Sequence, residues 1–224
     1  MCGIAGYVGR FEPSLLGQMN RAQGHRGPDG SGQWHDAEAG LAHVRLAILD
    51  LSPAGAQPMA DATGRVILSF NGEIYNYREL RADLERQGVV FRGGSDTEVL
   101  ANLLAREGRA CLPKLNGIFA FAAWYPAERR LLLARDAAGV KPLYWASTAQ
   151  GRVFASELKS FRDVKGIDWS LDHVAVTHQH DLVRLDRGIA EDEVVVTGAA
   201  ECGRPLRDVK HGRLAVVLVD QAQL

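Results

Sequence analysis

The sequence of 224 residues contains few cysteines and no long apolar run. Cys2, Cys111 and Cys202 are far apart and form no C-x-x-C pair, which argues against a disulfide framework and against a zinc site. No apolar stretch approaches the roughly 18 residues of a membrane-spanning helix, and the N-terminus lacks the basic and apolar regions of a signal peptide. These absences favour a protein of the reducing cytoplasm.

The chain also has almost no net charge, with 26 Lys and Arg residues against 27 Asp and Glu residues. A surface that binds nucleic acid or an acidic membrane needs an excess of positive charge, so neither partner is expected. The hydrophobic share of 46% and the charged share of 24% are typical of a globular protein. The length predicts one domain, with room for an appendage.

Short apolar runs alternate with a few amphipathic segments, which predicts a mixed α+β fold. Helices are predicted over residues 15–23, with Ser14 as N-cap, and over residues 77–87. A third begins at a capping box, Ser95 to Glu98, and ends at Gly108. Residues 25–32 are predicted to be a loop, and Asn71-Gly72 a turn. Strands are predicted over residues 65–70, 117–124, 130–135, 143–146, 152–155, 194–196 and 213–220.

Cys2 is the first candidate for chemistry. Removal of Met1 would leave its thiol and a free α-amine on the same residue. Free α-amines titrate at about pH 7.7 to 8, so near pH 7 a useful fraction is neutral and can accept the thiol proton. Such a residue is a nucleophile with its own base. Taken alone, a cysteine at position 2 is explained equally well as an accident of sequence.

Further segments, in a fixed order along the chain, match one pattern. They are CGIAG (2–6), RGPDG (26–30), HVRLAILD (43–50), FNGEIYN (70–76), GSDTE (94–98) and RDAAGVKPLY (135–144). Together they resemble the glutaminase domain of glutamine-dependent asparagine synthetases, which are N-terminal-nucleophile amidotransferases. Each segment alone is a weak signal, but their common order makes a strong one. The RGPD and RLAILD segments resemble the asparagine synthetase branch of that superfamily.

The resemblance implies a fold and a reaction. The implied fold is a four-layer α/β/β/α sandwich, in which two stacked antiparallel sheets lie between helices. A class II glutamine amidotransferase domain is expected over residues 1–165, and residues 166–224 are expected to form a tail that either completes this domain or is a divergent end. The implied reaction hydrolyses L-glutamine to L-glutamate and ammonia through a cysteinyl thioester, and the ammonia serves an asparagine-synthetase-like acceptor reaction.

The resemblance also assigns roles to residues of the matching segments. Cys2 is the expected nucleophile, and the Asn71 amide and the Gly72 backbone N–H are the expected oxyanion donors. Arg45 can hold the α-carboxylate of glutamine with two parallel N–H bonds. The remaining expected glutamine-binding residues are Asp96 and Glu73, which can receive the ammonium, and Leu46, Ala47, Ile48 and Leu49, whose backbone lines the pocket.

Each of these residues has a simpler interpretation. Asn71-Gly72 is commonly a hairpin turn, Asp96 suits the first turn of any helix, and Arg45 could be a solvated arginine between strands. The ordered matches and Cys2 together outweigh these separate interpretations.

In the resembled family a synthetase domain follows, with an ATP-binding Ser-Gly-Gly-x-Asp-Ser loop. The 224 residues contain no such loop, so the expected partners are L-glutamine and a synthetase acting in trans. No cofactor is expected. No metal ion is expected either, because His178 and His180 have no carboxylate-rich segment nearby and the resembled family needs no metal in this domain, so both are predicted to lie on the surface.

Two other functions stay open. The domain could bind glutamine or a partner without turnover, as a regulatory module, although such a module has no need of the nucleophile. It could also be an amidase of other specificity on the same fold, such as a β-lactam or acyl-amide hydrolase. The pairing of Arg45 with Asp96 disfavours the second alternative, because these residues suit an amino acid backbone.

Overall fold

A computed structural model of the chain describes residues 1–167, residue 169 and residues 214–216. The predicted strand at 194–196 and the pair His178 and His180 lie outside these residues. In the described part, the helices are α1 (Ser14–Ala22), α2 (Tyr77–Arg86) and α3 (Asp96–Glu107). The strands are β1 (Gly3–Gly9), β2 (Gly30–His35), β3 (Ala39–Arg45), β4 (Met59–Ala60), β5 (Ile67–Ile74), β6 (Gly117–Tyr125), β7 (Arg130–Arg135), β8 (Tyr144–Thr148), β9 (Gly151–Ala155) and β10 (Leu214–Val216).

The strands form two antiparallel sheets. The first is six-stranded in the order β10-β8-β9-β1-β3-β2, and the second is four-stranded in the order β4-β5-β6-β7. Helix α1 packs on the first sheet, against β1 and β3, and α3 packs on the second, against β4 and β5. The layers therefore run helix, sheet, sheet, helix, which confirms the predicted four-layer sandwich.

Apolar side chains fill each space between these layers. Ile4, Leu41, Trp124 and Phe154 are among the buried residues between the two sheets. Because a sheet that is covered on both faces buries both sets of alternating side chains, its strands read as nearly continuous apolar runs. This explains why Gly117–Tyr125 is apolar along almost its whole length.

Helix α3 has a capping residue at its start and a glycine at its end. The Ser95 hydroxyl accepts a hydrogen bond from the Glu98 backbone N–H at 3.2 Å, as the predicted capping box requires. Gly108 ends the helix with a φ of 58°, a conformation that favours glycine. The Glu98 carboxylate does not complete the box. It accepts instead from the backbone N–H groups of Arg92 and Gly93, at 2.8 and 2.9 Å, and so fixes the loop before the helix.

The predicted turn at Asn71-Gly72 is wrong. Both residues lie inside β5, where Asn71 pairs with Ala120 and Gly72 with Phe119 of β6. A side chain on Gly72 would place its Cβ 2.4 Å from the Ile118 carbonyl oxygen, so glycine serves here for close strand packing.

The predicted loop at 25–32 and the predicted α1 cap also differ from the structure. Residues from Gly30 onward form β2, because Gly30 and Gly32 pair with Arg45 and His43 of β3. The first helix is present, but its N-cap is Pro13 and Ser14 already lies within it.

Part of the C-terminal tail joins the first sheet. Leu214–Val216 pairs antiparallel with β8 at its edge. The division into a domain over 1–165 and a tail over 166–224 stays a prediction. Within residues 1–167, 169 and 214–216, no helix combines the length and the apolar character needed to span a membrane.

Candidate active site

One cleft contains every residue that the sequence placed in the site. Its volume is about 130 Å³. The predicted residues that line it are Cys2, Arg45, Leu46, Ala47, Ile48, Leu49, Asn71, Gly72, Glu73 and Asp96. They come from the residue before β1, the end of β3 and the loop after it, the second half of β5, and the first turn of α3. The cleft therefore draws on both sheets.

Cys2 is held by backbone and side-chain contacts just before β1. Its Sγ lies 3.4 Å from the Leu46 nitrogen, which donates to it, and 3.5 Å from the Leu46 oxygen. The Cys2 carbonyl accepts a hydrogen bond of 2.9 Å from Nε of Arg26, whose Nη1 pairs with Glu157 at 3.0 Å. The bond from the Leu46 N–H fixes the sulfur against the loop that follows β3.

The side chain of Asn71 is buried and incompletely bonded. Asn71 is 1% exposed, and its Nδ2 has no hydrogen-bond partner among the described residues. A buried donor without a partner costs about 1–3 kcal/mol. Since Asn71 lines the cleft, an acceptor on a bound ligand can recover this cost.

Asp96 is a buried carboxylate in the first turn of α3, 4% exposed. Burial raises its pKa to about 6, hydrogen bonds from the Ile74 and Thr97 backbone N–H groups oppose this shift, and the charge of Glu73 adds to it. These bonds measure 3.0 and 2.9 Å. An ammonium group in the cleft would favour the ionised carboxylate.

Arg45 lines the cleft from the end of β3 and also braces the loop that follows. Its guanidinium donates to the carbonyl oxygens of Asp50 and, at 3.1 Å, of Ser52. A Cβ on Gly55 would meet this guanidinium at 2.4 Å, so a larger residue there would displace it.

The loop with Leu46 to Leu49 is tied to its surroundings by two carboxylates. Asp29 accepts from the Ala47 N–H at 2.8 Å, and Asp50 accepts from the Gly94 N–H at 3.0 Å. Hydrogen bonds from Ser52 and from Gly94 lower the pKa of Asp50. The loop nevertheless leaves Ile48 71% exposed and Leu49 44% exposed at the mouth of the cleft.

Several cleft residues were not expected from the sequence. Asp50, Gln57, Thr97 and Lys141 line the cleft together with the predicted residues. Asp50, Thr97 and Lys141 lie within motif segments, and this position in the sequence could have marked them as candidate site residues. Gln57 lies outside every motif, and a single glutamine between strands gives no pattern that marks it. In the described part of the chain, no group of His, Cys, Asp or Glu residues is arranged to hold a metal ion.

Comparison with known proteins relates this geometry to a family. The family model described as "Glutamine amidotransferase domain" matches residues 1–191. Asparagine synthetase [glutamine-hydrolyzing] 1 of Bacillus subtilis is 40% identical over 167 residues, which cover 71% of this chain and 26% of that protein. A putative asparagine synthetase of Mycobacterium tuberculosis is 39% identical over 189 residues, 79% of this chain and 29% of that protein. The chain thus spans about a quarter to a third of these curated relatives.

The fold has a relative among solved structures. The glutamine phosphoribosylpyrophosphate amidotransferase of B. subtilis superposes with a TM-score of 0.62 at 23% identity, over 72% of this chain and 43% of that one. The shared architecture agrees with the predicted four-layer sandwich. Given the family match over most of its length, the chain belongs to the family of glutamine amidotransferase domains.

Proposed function

We propose that this domain hydrolyses L-glutamine to L-glutamate and ammonia through a thioester on Cys2. After removal of Met1, the Cys2 thiol attacks the side-chain carbonyl carbon of glutamine while the thiol proton passes to the free α-amine of Cys2. Collapse of the tetrahedral intermediate expels the amide nitrogen, which takes that proton and leaves as ammonia. Water then cleaves the γ-glutamyl thioester, which releases glutamate and restores the thiol.

The single observation that carries this proposal is the unpartnered Nδ2 of Asn71 in the cleft that also contains Cys2. An amide donor that is already buried and oriented needs no reorganisation when negative charge develops on the carbonyl oxygen of the substrate. We assign the Gly72 backbone N–H as the second donor. Cys2 from the first sheet and Asn71 from the second thereby act on opposite parts of the same carbonyl group.

Recognition of the glutamine backbone is assigned to the charged side chains of the cleft. Asp96, with Glu73 near the mouth, would receive the α-ammonium, and Arg45 the α-carboxylate. The backbone of Leu46 to Leu49 would line the side-chain channel. These assignments favour an amino acid over an acyl amide or a β-lactam, because those substrates carry no paired ammonium and carboxylate.

The destination of the ammonia is proposed from the relatives. Both are named as glutamine-hydrolysing asparagine synthetases, so we propose an asparagine-synthetase-like acceptor reaction on a synthetase domain or partner. No cofactor is proposed for the glutamine half-reaction. The cytoplasmic location stays a prediction.

Asn71→Ala tests the proposal. Loss of one oxyanion donor is expected to lower kcat by about 10²–10³-fold with little change in KM, since the donor acts mainly on the transition state. Ammonia release at several glutamine concentrations gives both constants. The matched control is Asn76→Ala, whose amide donates to the Lys114 carbonyl at 2.8 Å outside the cleft and whose loss should leave kcat unchanged. Equal effects of the two variants would contradict the assignment.

The pKa of Asp96 predicts the pH dependence of glutamine binding. Burial raises this pKa to about 6, so in the free protein the carboxylate becomes protonated below pH 6 and loses its attraction for the ammonium. The Kd for glutamine is therefore expected to be constant above about pH 7 and to rise about tenfold per pH unit below pH 6. Calorimetric titration of the Cys2→Ala variant measures binding without turnover. Asp96→Asn should bind weakly at every pH, and a Kd that is constant from pH 5 to 7 in Cys2→Ala would exclude this role.

A further inference from the structure

The side chain of Gln57 bridges two parts of the cleft wall. Gln57 is 9% exposed. Its Oε1 accepts a hydrogen bond of 2.6 Å from the Phe70 backbone N–H, and its Nε2 donates to Oγ1 of Thr97 at 3.3 Å. Both bonds are buried, and they join residues from β5 and from the first turn of α3.

Each end of this bridge adjoins a residue of the proposed site. Phe70 directly precedes Asn71 and Gly72, the proposed oxyanion donors. Thr97 directly follows Asp96, the proposed ammonium acceptor. The amide of Gln57 therefore connects the part of the cleft that stabilises the transition state with the part that binds the amino acid backbone.

Among the residues that the structure describes, strand β5 has no strand partner on one side at Phe70. The edge strand β4 pairs only with Ile67 and Leu68 of β5. At Phe70, on the side of β5 that β4 no longer covers, side chains bond the backbone instead. Gln57 accepts from the Phe70 N–H, and Nε2 of His43 lies 3.2 Å from the Phe70 carbonyl oxygen. Burial lowers the pKa of His43 to about 4, so the ring is neutral near pH 7 and Nε2 carries the proton that it donates.

We propose that Gln57 is a positioning residue that fixes the oxyanion donors of β5 relative to the ammonium site of α3. The inference rests on the proposed function, because the donors and the ammonium site are those assigned above. Gln57 acts through Phe70 and Thr97, and misplacement of a reacting group by about 1 Å can cost about 100-fold in rate.

Gln57→Met tests this role, since methionine has a similar length but lacks the amide that accepts from Phe70 and donates to Thr97. The expected result is a fall in kcat of about 10- to 100-fold together with a rise in KM. Thr97→Val removes only the α3 end of the bridge. Thr97→Val should raise KM and lower kcat less than Gln57→Met does. If Gln57→Met does not fold, the kinetics of Thr97→Val decide the question.

The control is Asn102→Leu. Asn102 is also a buried amide that bonds two backbone groups: its Nδ2 donates to the Glu98 carbonyl at 2.8 Å, and its Oδ1 accepts from the Ala62 N–H at 3.3 Å. Unlike Gln57, it does not line the cleft. This variant should lower Tm without changing kcat or KM. If Gln57→Met behaves in the same way, or if Thr97→Val leaves KM unchanged, Gln57 is merely structural and the proposal is overturned.

Cys2→Ala separates this outcome from failure of the proposed function. Inactive Cys2→Ala with fully active Gln57→Met would overturn the positioning role alone. Glutamine hydrolysis that persists in Cys2→Ala would overturn both.

Discussion

Replacing Cys2 with alanine is expected to abolish glutamine hydrolysis while leaving glutamine bound. The variant loses the nucleophile but keeps Asn71, Asp96 and Arg45 in the cleft. Removal of a catalytic nucleophile commonly costs more than about 10⁴-fold in kcat. Ammonia release measures the loss, and calorimetric titration with glutamine measures the binding that remains.

Cys111→Ala is the matched control. Cys111 is fully buried, and burial raises the pKa of its thiol to about 12, so it is not a reactive thiolate near pH 7. Its replacement should leave kcat unchanged when kcat is expressed per folded molecule. Likewise, iodoacetamide should alkylate Cys2 in the folded protein and spare Cys111. Retained turnover in Cys2→Ala would refute the thioester mechanism.

A chain whose Cys2 is blocked by a preceding residue is expected to be inactive although it folds. The peptide bond on Cys2 leaves no free amine to accept the thiol proton. Met1 is 56% exposed beside the cleft, so a residue at this position does not disturb the core. Turnover is therefore expected only after the N-terminal residue has been removed.

This prediction can be checked on one sample. A protein with a cleavable N-terminal extension is assayed for ammonia release before and after a protease exposes Cys2, and intact-mass spectrometry reports the terminus. Activity should appear in step with the fraction of free Cys2, while the circular dichroism spectrum stays the same. Full activity before cleavage would show that another group acts as the base.

The α+β class and most of its elements could be predicted from the sequence because they carry local signals, whereas the four-layer arrangement was implied by the resemblance to the glutaminase domain. The Ser95 cap and Gly108 mark the ends of α3, and nearly continuous apolar runs mark β6 and β7. Asn71-Gly72 was assigned to a turn because turn propensity is a local property. Pairing with Ala120 and Phe119, some fifty residues away, overrides that propensity. Gly30 enters β2 for the same reason, through its pairing with Arg45.

The site was predictable only in part. Cys2, Asn71 and Asp96 lie in motifs whose residue types suit the chemistry, and the structure brings them to one cleft. Gln57 has no motif around it, and its importance depends on two hydrogen bonds to residues 13 and 40 positions away. Such contacts exist only once the chain is folded, so no reading of sequence periodicity reveals them.

The two sheets meet beside the cleft, and this has a consequence for how the domain tolerates mutation. Cys2 precedes a strand of one sheet and Asn71 belongs to the other, and the sheets are joined nearby by a hydrogen bond from the Ser69 hydroxyl to the Ala42 carbonyl at 3.0 Å. The packing of Ile4, Ala120 and Leu41 therefore sets the distance between the Cys2 sulfur and the Asn71 amide, the two proposed catalytic groups. Close-packed interiors relax little, so a side chain in this layer that is larger or smaller by one methylene changes the distance between Cys2 and Asn71. Buried alanines such as Ala120 would then be constrained by reaction geometry as well as by stability.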